Sequence, residues 1–174
     1  MAPRPFVQAD VFADRPGAGN PLAVVLDAAG LDDAAMQAIA RWTRLPETTF
    51  VLPPTRPGAS YAIRMFSPKK EVPFAGHPSV GTAHVVLEAG LAEPRQGLLL
   101  QEGVAGLLPL RVEMDAGVRR IAIRTPRAQL VETAEARGAP LAAPLARLPP
   151  RALPPAPMDG GRPWWPAAAR AEAS

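Results

Sequence analysis

Three short stretches place chemically capable side chains at corners of the chain: Gly76-His77-Pro78, Glu47 and Asn20. Gly76-His77-Pro78 leads into the segment Ser79 to Ala89, so its backbone N–H groups stand where a helix begins, and such a terminus attracts anions. Gly76 permits close backbone approach, and His77 carries an imidazole able to donate to a carboxylate. Read alone, the same corner is also compatible with a tight turn holding a satisfied histidine. Glu47 follows Pro46 and precedes the apolar run Thr48-Thr49-Phe50-Val51-Leu52. Burial there would raise the pKa of a carboxyl into the range of a general acid/base, whereas exposure would leave a solvated loop acid. Asn20, between Gly19 and Pro21, suits ligand contact or a turn. Glu71, between Lys70 and Val72, reads as a surface charge.

The elements that must position these groups are legible from pattern. Pro5 to Phe12 and Pro21 to Asp27 read as neighbouring strands across the turn residues Asp14 to Gly19. Leu31 to Leu45 reads as an amphipathic helix with Asp32 as N-cap and Leu31, Met36, Ile39 and Ala40 on one face. Pro46 ends it near Leu45, which leaves Glu47 in a helix-to-strand corner. Thr48 to Leu52 and Ser60 to Phe66 form a hairpin. Ser79 to Ala89 is a helix almost without a polar face, ended by Gly90, and a helix of that kind is buried on most sides. Gly97 to Gln101, Gly106 to Met114 and Arg119 to Thr125 complete about seven strands and two helices. The fold class expected is α+β: a strongly curved, mostly antiparallel sheet wrapped around the Val80–Ala89 helix, with the other helix outside.

Composition narrows the function. The chain has no cysteine, which excludes disulfides, thiolate metal sites and thiol catalysis. His77 and His84 are the two histidines, and no carboxylate accompanies them in a metal-binding spacing, so no metal is expected. With 19 Lys+Arg against 16 Asp+Glu the net charge is +3, and the basic residues are scattered rather than clustered. No nucleic-acid partner is therefore expected. No run of eighteen apolar residues and no leader pattern is present, so the expectation is a cytoplasmic protein without a membrane partner. Beyond Thr125 the composition changes: ten of the 23 prolines lie between Pro126 and Pro166. Residues 128–174 read as a Pro/Ala-rich linker, with a short helix possible within Arg127 to Arg147 and an extended Leu148–Pro157 segment. The pair Trp164-Trp165 is expected to pack on something.

Four ordered blocks, GNPLAVVL at Gly19–Leu26, LPETTFVL at Leu45–Leu52, PFAGHPSVGTAHVV at Pro73–Val86 and GLLPLRVE at Gly106–Glu113, resemble the PhzF-like family of phenazine biosynthesis. The resemblance is good over residues 6–127 and returns weakly at Met158–Trp165. It implies the diaminopimelate epimerase fold, in which two similar lobes each wrap a sheet around a helix and the site lies between them. It also implies that Glu47 is the general acid/base, that Gly76 and His77 bind substrate with Asn20 nearby, and that no cofactor is used. Family members usually carry serine where this chain has Pro46, which removes a hydroxyl and a backbone donor next to Glu47.

The reading that results is an N-terminal lobe, residues 1–127, of a cofactor-independent isomerase that moves a proton on a small carboxylate-bearing substrate. Residues 128–174 would be the linker and the truncated start of a second lobe, whose glycine-rich loop is missing. Such a chain is expected to have little activity by itself and to pair as a homodimer through its open face. The rival reading is a non-enzymatic single-lobe module that binds a small anion or a protein. A hot-dog thioesterase would share the wrapped helix but lacks the four blocks.

Overall fold

The computed structural model describes residues 3–127, 129–130, 158–159 and 163–164. The chain divides into two compact units, Met1–Pro126 and Arg127–Ser174. In the first unit, seven strands run in the order in which they occur in the sequence: β1 (Phe6–Val11), β2 (Asn20–Val25), β3 (Glu47–Leu52), β4 (Tyr61–Phe66), β5 (Leu98–Gly103), β6 (Gly106–Asp115) and β7 (Val118–Ile123). Four of the six pairings are antiparallel, while β2 with β3 and β4 with β5 are parallel. Helices α1 (Asp33–Thr43) and α2 (Gly76–Glu88) supply the connections that parallel neighbours require.

Helix α2 packs against β1, β2, β3 and β7. Contact with both outermost strands means that the sheet curls around the helix, as the sequence pattern predicts. The helix is built for that position. Gly81, Thr82, Ala83, Val85 and Val86 are all buried, and Gly81 lies so close to β1 and β2 that a Cβ there would sit 2.5 Å from Val11 Cγ2 and 2.7 Å from Leu22 Cδ2. The main core follows from this packing and includes Leu22, Val24, Ile63, Leu99 and Leu110 around Ala83 and Val86. At its end Gly90, with φ +66, turns left-handed, and Gly90 N donates to Leu87 O while Leu91 N donates to Val86 O. This is a Schellman closure, and it leaves no orphan carbonyl to be buried.

Helix α1 lies on the sheet's other face, against β3 and β4. Asp32 caps it by accepting from Ala35 N at 2.7 Å. Met36 and Ala40 are buried with Phe50 and Phe66, while Leu31 and Ile39 are partly buried beside them. The Phe50 and Phe66 rings meet edge to face, with centroids 5.5 Å apart. Glu71 differs from the sequence reading. It is not a bare surface charge, because its carboxylate accepts from Arg64 Nε and Nη2, and Arg64 also reaches Asp33 in the first turn of α1. That clamp ties α1 to β4.

Among the described residues of the second unit are the two-residue strands β8 (Gln129–Leu130), β9 (Met158–Asp159) and β10 (Pro163–Trp164), paired antiparallel in the order β10-β9-β8. The short helix expected within Arg127 to Arg147, the extended Leu148–Pro157 segment and Trp165 fall outside the described residues. Among the described residues no helix is long and apolar enough to cross a membrane.

The contact at Gly81 makes a prediction with opposing terms. Gly81→Ala gains about 1 kcal/mol of helix propensity. It also overpacks a closed interface, at a cost of about 1–3 kcal/mol. The variant should lose up to about 2 kcal/mol, seen as a lower urea midpoint at unchanged m-value. An equal or higher midpoint would show that Val11 and Leu22 yield freely.

Candidate active site

The starts of three elements converge. Glu47 opens β3, Asn20 opens β2, and Gly76 and His77 form the first turn of α2. The helix begins three residues before Ser79, so the corner read from the sequence is part of the helix itself. Because β2 and β3 are parallel, with Leu22 paired to Glu47, their N-terminal ends lie side by side. The four residues singled out in the sequence are therefore brought together at one end of the lobe.

Glu47 is 2% exposed. It owes this to its strand, since Glu47, Thr48, Thr49, Phe50 and Val51 are all buried. Pro46 does not disturb it. The preceding helix closes with Arg44 in the left-handed region, and the Thr43 hydroxyl is 2.9 Å from the Thr48 hydroxyl, joining the end of α1 to the start of β3. The position of Glu47 is thus fixed by backbone pairing and a threonine contact on either side of the proline.

His77 faces two partners. Its Nδ1 lies 3.1 Å from Asn20 Nδ2, and its Nε2 lies 3.4 Å from Glu47 Oε2. The second contact is long and off-line for a hydrogen bond, so buried Nε2 makes none in this state. Separations of this kind tighten when a ligand closes a site. Burial pushes the His77 pKa below that of a free imidazole, which favours the neutral ring. Gly76 stands beside it with open space where a Cβ would project. Ala75 is the N-cap of α2 and makes no side-chain cap hydrogen bond. A helix terminus of this kind favours an anion.

What holds the helix start was not evident from the sequence. Ser79 Oγ donates to Ala75 O at 3.0 Å, Gln101 Nε2 donates to Ser79 Oγ at 3.2 Å, and Tyr61 OH donates to Gln101 Oε1 at 3.2 Å. All three side chains are buried, and burial raises the Tyr61 pKa far above the ordinary phenol value. One turn further, Thr82 meets Thr49 at 2.7 Å, and Thr49 donates to Ala23 O at 3.3 Å. The available signal was a glutamine closing the leucine run of β5 and two threonines in a buried strand.

Two cavities lie elsewhere. One of about 390 Å³ is lined by Ser60, Glu93 and Arg95 among others, and one of about 320 Å³ lies near Val80, His84 and Arg119. Neither includes Glu47, Gly76 or His77. Among the described residues no three His, Asp or Glu side chains group as metal ligands.

Comparison with known proteins gives this arrangement a context. The family model for phenazine biosynthesis-like proteins (PhzC-PhzF) matches residues 9–164. Antisense-enhancing sequence 1 of Schizosaccharomyces pombe is 40% identical over 136 residues, covering 78% of this chain and 46% of that protein. Trans-2,3-dihydro-3-hydroxyanthranilate isomerase of Pseudomonas aeruginosa is 42% identical over 112 residues, covering 64% and 38%. Among solved structures, a predicted epimerase from Pseudomonas aeruginosa superimposes with a TM-score of 0.75 at 33% identity, covering 94% of this chain and 58% of that one. The chain spans about half the length of the relatives it matches.

The buried imidazole sets a pH dependence. The unfolded chain binds a proton at His77 near the ordinary value of 6.5, and the folded chain binds it only at lower pH. Its contribution to stability is therefore complete above about pH 6.5 and is lost as pH falls toward the folded value. Denaturant unfolding at about pH 7.5 and about pH 5.5 should show a smaller loss on acidification for His77→Gln than for the parent chain. Equal losses would assign the dependence to other groups.

Proposed function

The chain belongs to the phenazine biosynthesis-like protein family, and from that premise we propose that it carries the acid/base half of an isomerase site, with Glu47 as the proton-transferring residue. The observation that carries this reading is the buried Glu47 carboxyl facing the His77 imidazole at the start of α2. A carboxyl shielded from bulk water and set beside an imidazole is placed to exchange protons with a bound carbon acid.

The substrate class follows from the helix start. A small molecule bearing a carboxylate would place that group against the Gly76 and His77 N–H groups, where the helix dipole favours negative charge. Glu47 as carboxylate would then remove a proton from one carbon while the C–H electrons enter the adjacent π system. As carboxylic acid it would return the proton to a second carbon on the same face. The balance is one C–H bond broken, one formed and a shifted double bond, with no cofactor required. The Pseudomonas aeruginosa relative's name, an isomerase of a dihydro-hydroxyanthranilate, denotes a carboxylate-bearing substrate of the kind this reading calls for. Because the chain spans about half the length of such relatives, full turnover is proposed for the lobe joined to a second lobe.

The test is turnover of trans-2,3-dihydro-3-hydroxyanthranilate in deuterated water, by this chain alone and by the chain complemented with the second half of that relative. Deuterium should enter the product carbon with the complemented protein, and Glu47→Gln should lower the rate by about 10²–10⁴-fold while ligand binding persists. Gly76→Val should weaken binding instead, because its side chain would enter the open space at the helix start. Unchanged turnover in Glu47→Gln would overturn the assignment. Binding with no exchange in any form would favour the single-lobe binding module.

A further inference from the structure

Asp10 is the penultimate residue of β1, and its carboxylate turns into the loop that connects β1 to β2. Asp10 Oδ2 accepts from Gly17 N at 2.6 Å and from Gly19 N at 3.2 Å. The loop is pressed onto the strand end. A Cβ at Gly19 would lie 2.4 Å from Val11 O and 2.8 Å from both Ala13 Cβ and Asp10 Oδ1, so no side chain fits there. Gly17, with φ +82, supplies the left-handed turn that brings both N–H groups to one oxygen.

This bracing stands at the end of the β1–β2 pair, where Asp10 lies opposite Pro21 and Val11 opposite Asn20. The Asp10 carboxylate holds the loop that leads into Asn20.

Asn20 in turn contacts His77 Nδ1 through its amide nitrogen at 3.1 Å. An amide NH₂ only donates, so Nδ1 must accept, and the single proton of the neutral imidazole then resides on Nε2, the atom facing Glu47. We propose that Asp10 is a positioning residue for this site: by bracing the Gly17–Gly19 loop it holds Asn20 where the amide locks His77 in the Nε2–H tautomer. The consequence for catalysis rests on the acid/base reading above. With Nε2 already protonated, the imidazole presents a donor toward Glu47 and cannot accept a proton at that atom, so Glu47 is the sole base of the pair. The tautomer itself is independent of any activity.

Long-range ¹H–¹⁵N correlation spectra of the labelled 174-residue chain read the tautomer directly, and the chain has two histidines, His77 and His84. His84 is exposed and serves in the same sample as an imidazole free of Asn20. Assignment follows from His84→Gln. At neutral pH His77 should show a single Nε2–H pattern. Asn20→Asp, which puts an acceptor against Nδ1, should move the proton to Nδ1 or protonate the ring. Asp10→Ala should release Asn20 and shift His77 toward the averaged pattern of His84, with the rest of the amide spectrum kept. Asp10→Asn, which retains one acceptor oxygen, should give an intermediate shift and provides the reading if the alanine variant does not fold. A parent His77 that matches His84 or carries its proton on Nδ1 would overturn the tautomer lock. A pattern unchanged by either Asp10 substitution would overturn the role of Asp10. Neither result would bear on Glu47 turnover, and loss of turnover alone would not alter the spectra.

Discussion

Enclosing a helix inside a curled sheet is the constraint from which the rest of this lobe follows. A helix touched by β1, β2, β3 and β7 gives little of itself to water apart from the side that carries His84 and Glu88. Its sequence must therefore be small and apolar, and any polar side chain inside must find a partner there, because an unpaired buried hydroxyl or amide costs about 1–3 kcal/mol. The chain meets that requirement with Thr82 on Thr49 and with the Tyr61–Gln101–Ser79 chain. These contacts also fix where the helix is along its axis. Apolar packing alone resists separation better than sliding, whereas a hydroxyl pair at 2.7 Å specifies one position.

The site is what this arrangement leaves over. The C-terminal end of α2 closes through Gly90 and Leu91, whereas at its first turn Ala75 supplies no side-chain cap. Parallel pairing of β2 and β3 brings two strand starts to the same end of the lobe, so Asn20, Glu47 and His77 meet although they come from distant parts of the chain. An antiparallel β2–β3 pair would have put the ends of β2 and β3 at opposite edges. Topology thus assembles the constellation, and the side chains refine it.

The sequence revealed much of this and missed the rest for identifiable reasons. The strands and both helices announce themselves through period, N-cap and glycine stop, since Asp32, Gly90 and the apolar face of Met36 and Ala40 act locally. Glu47, Gly76, His77 and Asn20 could be singled out because they sit at element boundaries, and the resemblance grouped them. The start of α2 at Gly76 rather than Ser79 was obscured by Pro78, which fits a first turn whether the helix begins there or slightly earlier. Glu71 looked idle because its partners, Arg64 and Asp33, are brought to it only by tertiary packing. The same holds for Gln101 and Asp10, whose neighbours lie across strands and are invisible to local pattern.

A buried carboxyl is among the least stable things a core can hold, and this lobe places one at the mouth of its most tightly packed helix. Thr43 and Thr48 secure the strand start, Ser79 and Gln101 secure the helix start, and the β2–β3 ladder sets the spacing between them. Glu47 and His77 stand among these supports, a buried acid and a neutral imidazole 3.4 Å apart. The unmet hydrogen-bonding capacity at His77 Nε2 is the local frustration expected of a binding site, and a ligand that supplies an acceptor there would relieve it.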